Sequence, residues 1–109
     1  MVFAVIIKAM RRDDVIAQLK RTEPTLRGLG VAGLYLFGSH ARDGAGPDSD
    51  VDVFVDPASD NAFGFVPFME AYEALRSAFD RQVELRYSTR EGLSPYIRDD
   101  VEREALRIF

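Results

Sequence analysis

Apolar residues in the first part of the chain recur at the spacing of an α-helix. Residues 13 to about 21 carry one such stripe, which predicts a first helix. The stripe consists of Val15, Ile16 and Leu19. Pro24 interrupts this pattern, and we expect residues 22–29 to form a second short helix with this proline in its first turn.

Two segments in the middle of the chain have the character of β-strands. Residues 31–37 are almost continuously apolar between two glycines, which favours a buried central strand. Residues 50–55 alternate strictly, so that Asp50, Asp52 and Phe54 point to one face and three valines point to the other. We expect the valine face to belong to the core.

Helical spacing returns twice in the second half of the chain. Residues 65–80 form one predicted helix, whose stripe is Phe68, Tyr72, Leu75 and Phe79. Ser94 and Pro95 predict the start of a terminal helix, because a hydroxyl can cap free amides and proline suits the first helical position. Its expected buried stripe is Ile97, Val101, Ala105 and Ile108.

Between these helices, residues 83–87 alternate like a third strand, with Glu84 and Arg86 on the polar side. The order helix, helix, strand, strand, helix, strand, helix predicts an α/β or α+β fold. We expect a small mixed β-sheet with helices packed mainly on one face. The 109 residues match the size of one domain, so a second, substrate-binding domain is not expected.

Charge and composition narrow the classes of function. The formal net charge of -4 repels phosphodiester backbones, so we expect no direct nucleic-acid partner. The chain has no cysteine, which excludes thiolate metal sites and is compatible with a cytoplasmic protein. The apolar run of residues 2–7 is too short to span a bilayer. We expect residues 1–10 to form a strand or a packed arm, unless Met10 is the true start.

Asp50 and Asp52 are the first candidates for catalysis. Two residues that share one face of a strand lie about 6.6 Å apart, so their carboxylates can hold a pair of divalent ions about 3.5–4 Å apart. Mg²⁺ prefers carboxylate and phosphate oxygens and needs no histidine. The sequence therefore predicts a two-metal site suited to phosphoryl transfer, and His40 is interpreted as a solvent-facing turn residue.

The turn before these aspartates offers what a triphosphate needs. Gly38 allows close approach, and Ser39 supplies a hydroxyl at the start of a helical turn. Arg42 has two interpretations, either binding phosphate or bracing the turn-rich segment 43–49. Glu84 is the candidate third carboxylate, which would complete one metal site and help deprotonate the attacking hydroxyl. Its alternative is an ordinary exposed strand residue paired with an arginine.

These residues resemble a known family. Gly-Ser-His-Ala-Arg at 38–42 and Asp-Ser-Asp-Val-Asp at 48–52 are similar to the signature of minimal nucleotidyltransferases of the polymerase-β-like superfamily. The likeness extends from about Arg12 to the C-terminus and includes Val-Glu-Leu at 83–85. Two positions depart from the pattern: Glu84 stands where aspartate is usual, and Asp43 where glycine is common.

The resemblance implies a specific function. Stand-alone members of the family include MntA-type antitoxins, which are paired with HEPN-domain RNase toxins and use ATP and Mg²⁺ to attach AMP to a tyrosine of the toxin. By resemblance, Asp50 and Asp52 bind metal, while Gly38 and Ser39 bind phosphate. Two alternatives stay open. One is a weak or inactive antitoxin that neutralises its partner by binding alone. The other is a nucleotidyltransferase for a small molecule such as an aminoglycoside.

Overall fold

The computed structural model of the protein describes residues 12–42, 50–59, 61, 63–79 and 83–109. The expected N-terminal arm and the segment 43–49 lie outside these described residues. The helices are α1 (Arg12–Lys20), α2 (Glu23–Gly28), α3 (Phe65–Ser77) and α4 (Pro95–Glu104). The strands are β1 (Val31–Phe37), β2 (Val51–Pro57), β3 (Leu85–Thr89) and β4 (Leu106–Arg107).

Local sequence signals explain where three of the helices begin. Asp13 and Asp14 lie in the first turn of α1, where carboxylates interact favourably with the helix dipole. Pro24 occupies the first turn of α2, which needs no donor from that residue. The Ser94 hydroxyl accepts a hydrogen bond from the Tyr96 amide and caps α4. These predicted helix starts are confirmed.

The strands form one mixed sheet in the order β3-β2-β1-β4. β1 pairs antiparallel with both β2 and β4, whereas β2 and β3 are parallel. α3 provides the crossover that a parallel pair requires. The predicted fold class, a small mixed sheet in an α+β arrangement, is confirmed.

One face of the sheet forms the main core. The three valines of β2 are fully buried, as expected from the alternation. The first three helices bury their apolar residues in the same cluster, whereas α4 buries none. The helical contributors are Val15, Leu19, Leu26, Ala71 and Leu75. The helices therefore pack mainly on one face, as predicted.

The opposite face of the sheet carries an aromatic layer that the alternation did not indicate. Phe54 is fully buried, although it points away from the valine core. The Tyr35 ring stacks on it with centroids 4.8 Å apart, and the Phe37 ring lies 5.9 Å away. The Arg90 guanidinium covers the Phe54 ring at 4.8 Å from its centroid. Both faces of β2 are therefore shielded from water near its middle.

The predicted terminal helix is wrong in its extent. α4 ends at Glu104, and Ala105 has extended backbone with ψ 142°. The chain then pairs with β1 as β4, and the Ile108 amide donates to the Leu34 carbonyl at 2.7 Å. Ile108 is buried because it follows this edge strand, not because it belongs to a helical stripe. Pairing with the free edge of β1 therefore replaces the last turn of the predicted helix with an extended strand.

The third strand begins two residues later than its alternation predicted, at Leu85 rather than 83. Its parallel register with β2 runs from Val51 opposite Leu85 to Val55 opposite Thr89. The extent of β2 therefore determines the extent of β3. The predicted sides are confirmed, since Leu85 is buried and Arg86 is exposed. Within the described part of the chain, no helix is long and apolar enough to cross a membrane.

Arg90 ties α4 to the sheet. Its guanidinium donates two hydrogen bonds of 2.8 Å to the Asp56 carboxylate of β2 and one of 2.7 Å to Glu102 of α4. It also lies over the Tyr35 ring at 4.9 Å. Because α4 has no buried residue, this ion-pair network is a principal connection between that helix and the aromatic face.

We expect Arg90→Ala to lower the free energy of unfolding by about 2–3 kcal/mol, because it leaves two partly buried carboxylates without their hydrogen-bond donor. Urea denaturation measures this loss. Arg103→Ala is the matched control, since its ion pair with Asp100 is largely exposed and should contribute less than about 0.5 kcal/mol. Equal losses for the two variants would contradict the anchoring role.

Candidate active site

The candidate site forms where β1 ends beside the start of β2. Phe37, the last residue of β1, is the register partner of Asp52. Gly38 follows with a φ of 77°, in the left-handed region that favours glycine. A Cβ at this position would overlap the Asp52 carboxylate and lie 3.1 Å from its Cγ. The sequence therefore needs glycine here for two independent reasons.

The chain after Gly38 makes the helical turn that the sequence predicted. The amides of Ala41 and Arg42 donate to the Gly38 carbonyl at 3.1 and 3.2 Å. Ser39 lies partly exposed at the start of this turn. A hydroxyl and backbone amides at the start of a helical turn are suitable donors to phosphate oxygens. The phosphate roles of Gly38 and Ser39 stay predictions.

His40 does not face solvent, and its interpretation as a solvent-facing turn residue was wrong. The residue is 2% exposed, and its Nδ1 lies 3.0 Å from the backbone carbonyl of Asp50. Because a carbonyl oxygen only accepts, Nδ1 carries the proton and donates. The ring thus connects the turn after β1 to the residue that precedes β2. The sequence offered no signal for this, since the partner is a backbone atom.

Asp50 and Asp52 lie on one face, as the alternation predicted, and an arginine of the neighbouring strand contacts both. The Arg86 Nε lies 3.0 Å from Asp50 Oδ2 and 3.8 Å from Asp52 Oδ1. Arg86 is the register partner of Asp52 in the parallel pair. Sequence reasoning missed this contact. The signal was present, because Arg86 lies on the polar side of a strand parallel to β2.

Asp52 is the more buried of the two aspartates. Its Oδ1 is inaccessible to solvent and has no hydrogen-bond partner. Burial raises the pKa of Asp52, the nearby Asp50 adds to this rise, and Arg86 opposes it. A buried carboxylate oxygen without a donor is a position for a cation. The donor set of two carboxylates also suits a hard ion such as Mg²⁺.

Glu84 lies at the edge of this arrangement. Its backbone carbonyl accepts from the Val51 amide at 2.9 Å, so its peptide adjoins the start of β2. Its side chain is exposed. Among the residues that the structure describes, no three acidic, histidine or cysteine side chains form a group that could hold a metal ion. The structure thus brings Gly38, Asp50 and Asp52 close together. The metal role of Glu84 stays a prediction.

Arg42 has a partner that the sequence did not suggest. Its Nη1 lies 2.8 Å from Glu104 Oε1 near the end of α4, and both side chains are about half exposed. The ion pair connects the turn at residues 38–42 to the last turn of that helix. The segment 43–49, which Arg42 would brace under the other interpretation, lies outside the described residues. Phosphate binding by Arg42 stays a prediction.

A separate cleft opens at the other end of β2. It has a volume of about 800 Å³, and its lining includes Pro57, Phe65 and Thr89. Asp50 and Asp52 lie at the opposite end of the strand, so this cleft does not contain the carboxylates. The candidate site is therefore the region around the two aspartates and Arg86, and the cleft belongs to a different surface.

Comparison with known proteins identifies the family of the chain. The nucleotidyltransferase domain family matches residues 15–108, a range that includes the glycine turn, both aspartates and the third strand. The chain belongs to this family. A comparison of the chain with curated proteins found no match.

Solved structures share the fold of this nucleotidyltransferase. One named as a minimal nucleotidyltransferase is 26% identical, with a TM-score of 0.73 over 89% of this chain and 95% of the other. A toxin–antitoxin structure with AMP-PNP is 19% identical, with a TM-score of 0.62 over 83% and 72%. A mutant toxin–antitoxin structure, MntA-HpeT, is 17% identical, with a TM-score of 0.57 over 91% and 72%. At such identities, the last two show the fold alone.

We expect Gly38→Ala to lower the free energy of unfolding by about 1–3 kcal/mol, because a Cβ adds backbone strain and displaces the Asp52 carboxylate. Gly28→Ala is the matched control. A Cβ at Gly28 would meet nothing within 4 Å, and alanine favours a helix by up to about 1 kcal/mol. Urea denaturation of both variants tests the contrast, and a stabilising Gly38→Ala would refute the close approach.

The pKa of Asp52 predicts a pH-dependent difference from Asp52→Asn. A carboxyl whose pKa is raised by folding binds more protons in the native state, so its contribution to stability falls as pH rises through that pKa. In metal-free buffer, Asp52→Asn should therefore be more stable than wild type at neutral pH. The difference should vanish as pH falls below the unfolded pKa of 3.8. Thermal unfolding across pH measures it, and a difference that grows on acidification would contradict the sign.

Proposed function

We propose that this nucleotidyltransferase is an antitoxin that transfers AMP from ATP to a tyrosine of a partner HEPN-type RNase toxin. The observation that carries this proposal is the pair Asp50 and Asp52 beside the glycine turn, with a buried Asp52 oxygen that lacks a donor. In such an arrangement, the carboxylates would bind metal next to backbone and hydroxyl donors that would bind phosphate. Burying a carboxylate without a partner is costly, and a bound cation would offset that cost.

The proposed reaction joins the tyrosine oxygen to the α-phosphorus of ATP and breaks the bond between that phosphorus and the bridging oxygen, so that pyrophosphate leaves. The phenolic proton passes to a carboxylate, for which the exposed Glu84 is our candidate. Asp50 and Asp52 would hold Mg²⁺, which supplies charge neutralisation for the triphosphate. Gly38 and Ser39 would position the phosphates, and His40 keeps the Asp50 backbone fixed to the turn.

Two observations favour a protein as the acceptor. The net charge of -4 opposes binding to RNA. The start of α3 exposes apolar side chains, with Phe65 77% and Val66 62% exposed, and such residues commonly mark protein contacts. Toxin–antitoxin structures share this fold, which supports a toxin as the class of partner.

The test is transfer of label from α-³²P-ATP with Mg²⁺ to the partner protein. We expect labelling by wild type, loss of at least about 100-fold with Asp52→Asn, and no label on a partner whose acceptor tyrosine is replaced by phenylalanine. Asp100→Asn on α4 is the matched control for removing one carboxylate, and it should label normally. Absence of labelling by wild type, or equal labelling by Asp52→Asn, would refute adenylyl transfer.

A second candidate function is neutralisation of the toxin by binding alone. The observation that favours it is Arg86, which pairs with Asp50 and lies near Asp52 while the Glu84 side chain remains exposed. The variant with both Asp50→Asn and Asp52→Asn separates the two functions. If that variant still protects cells from the toxin, binding is sufficient, and loss of protection supports transfer.

A further inference from the structure

Arg86 occupies the position in the site where a cation is needed. Its Nε contacts Asp50 Oδ2 at 3.0 Å, which is hydrogen-bonding distance, but lies 3.8 Å from Asp52 Oδ1. It therefore supplies Asp52 with a nearby positive charge and no hydrogen bond. The two aspartates converge on a singly charged group that satisfies only one of them fully.

The Arg86 contact is one that the protein can release. The Arg86 side chain is 67% exposed, and ion pairs with an exposed partner contribute little to stability. Arg90 provides the contrast within the same chain. That arginine is 31% exposed and bonded to two carboxylates, as expected of a structural residue. The high solvent exposure of the Arg86 side chain leaves it free to exchange one anionic partner for another.

A divalent ion on Asp50 and Asp52 would compete with Arg86 for the same oxygens, because two positive groups at such short range repel each other. The displaced guanidinium would remain attached to β3 beside the site. A nucleotide chelated by that ion brings phosphate oxygens to the same region, and a guanidinium binds phosphate with paired hydrogen bonds. The arginine then loses one anionic partner and gains another.

We propose that Arg86 is a substrate-binding residue that pairs with Asp50 and Asp52 before metal and nucleotide bind, and with the nucleotide phosphates once they are bound. The inference rests on the metal-dependent nucleotide binding of the proposed function, but not on the identity of the acceptor. It also gives the ion pair a role beyond stability, because Arg86 partly compensates the charge of the two carboxylates until metal and nucleotide displace it.

Exchange of partners predicts effects of opposite sign for Arg86→Gln. Without nucleotide, the variant should bind a divalent ion about threefold to tenfold more tightly, because the competing charge is gone. With metal present, it should bind a non-hydrolysable ATP analogue at least about tenfold more weakly, because a charge-assisted contact to phosphate is lost. A residue that merely blocks the site, or one that merely supports it, would change both affinities in the same direction.

The experiment uses the full chain and two titrations. Mn²⁺ binding without nucleotide is followed by the electron paramagnetic resonance signal of the free ion, and analogue binding in excess Mg²⁺ by calorimetry. Arg86→Lys should restore metal affinity toward wild type but not nucleotide affinity, since lysine keeps the charge and lacks the planar fork. Arg103→Gln removes the same charge from an exposed ion pair on α4 and should change neither titration.

The possible outcomes separate this inference from the proposed function. Tighter Mn²⁺ binding together with weaker analogue binding supports the exchange. Two shifts of the same sign, or no shift in a protein whose wild type binds both ligands, overturn the inference and leave adenylyl transfer standing. A wild-type protein that binds neither Mn²⁺ nor the analogue overturns both.

Discussion

The backbone at Gly38 packs against the carboxylate of Asp52, and this approach determines the geometry of the site. It exists because β1 and β2 are antiparallel, so that the end of one strand adjoins the start of the next. A side chain at position 38 would force the two segments apart. The Gly38 backbone lies against Asp52 Oδ2, while the other carboxylate oxygen, Oδ1, is buried without a donor. The Asp52 carboxylate is thus held in a buried position where a bound cation would stabilise its charge.

Much of this arrangement could be predicted from the sequence because it depends on short-range patterns. The alternation of residues 50–55 placed both aspartates opposite the valine core, and the glycine boundaries of β1 located the turn. The fold class followed from the order of elements. His40 and Arg86 could not be assigned in the same way, since their partners come from other segments. For His40, the partner is a backbone carbonyl, which carries no side-chain signature.

The errors at the C-terminus have a common physical origin. Residues 97–108 continue a helical spacing, but the free edge of β1 offers backbone hydrogen bonds that the helix cannot supply there. Leu34 accepts from Ile108 and donates to Phe109, which fixes the last residues as an edge strand. The length of β3 was shifted for a related reason, because its partner β2 sets its register. Tertiary pairing overrides local periodicity at both places.

α4 has consequences for how the site responds to its surroundings. The helix buries no residue of its own, and its charged side chains connect it to Arg90 on one side and to Arg42 on the other. Dissolved electrolyte weakens such contacts far more than it weakens apolar packing. The turn at residues 38–42 is therefore attached to a helix whose position on the sheet depends on ionic strength. The salt concentration of the cell therefore affects how firmly Arg42 is held in position.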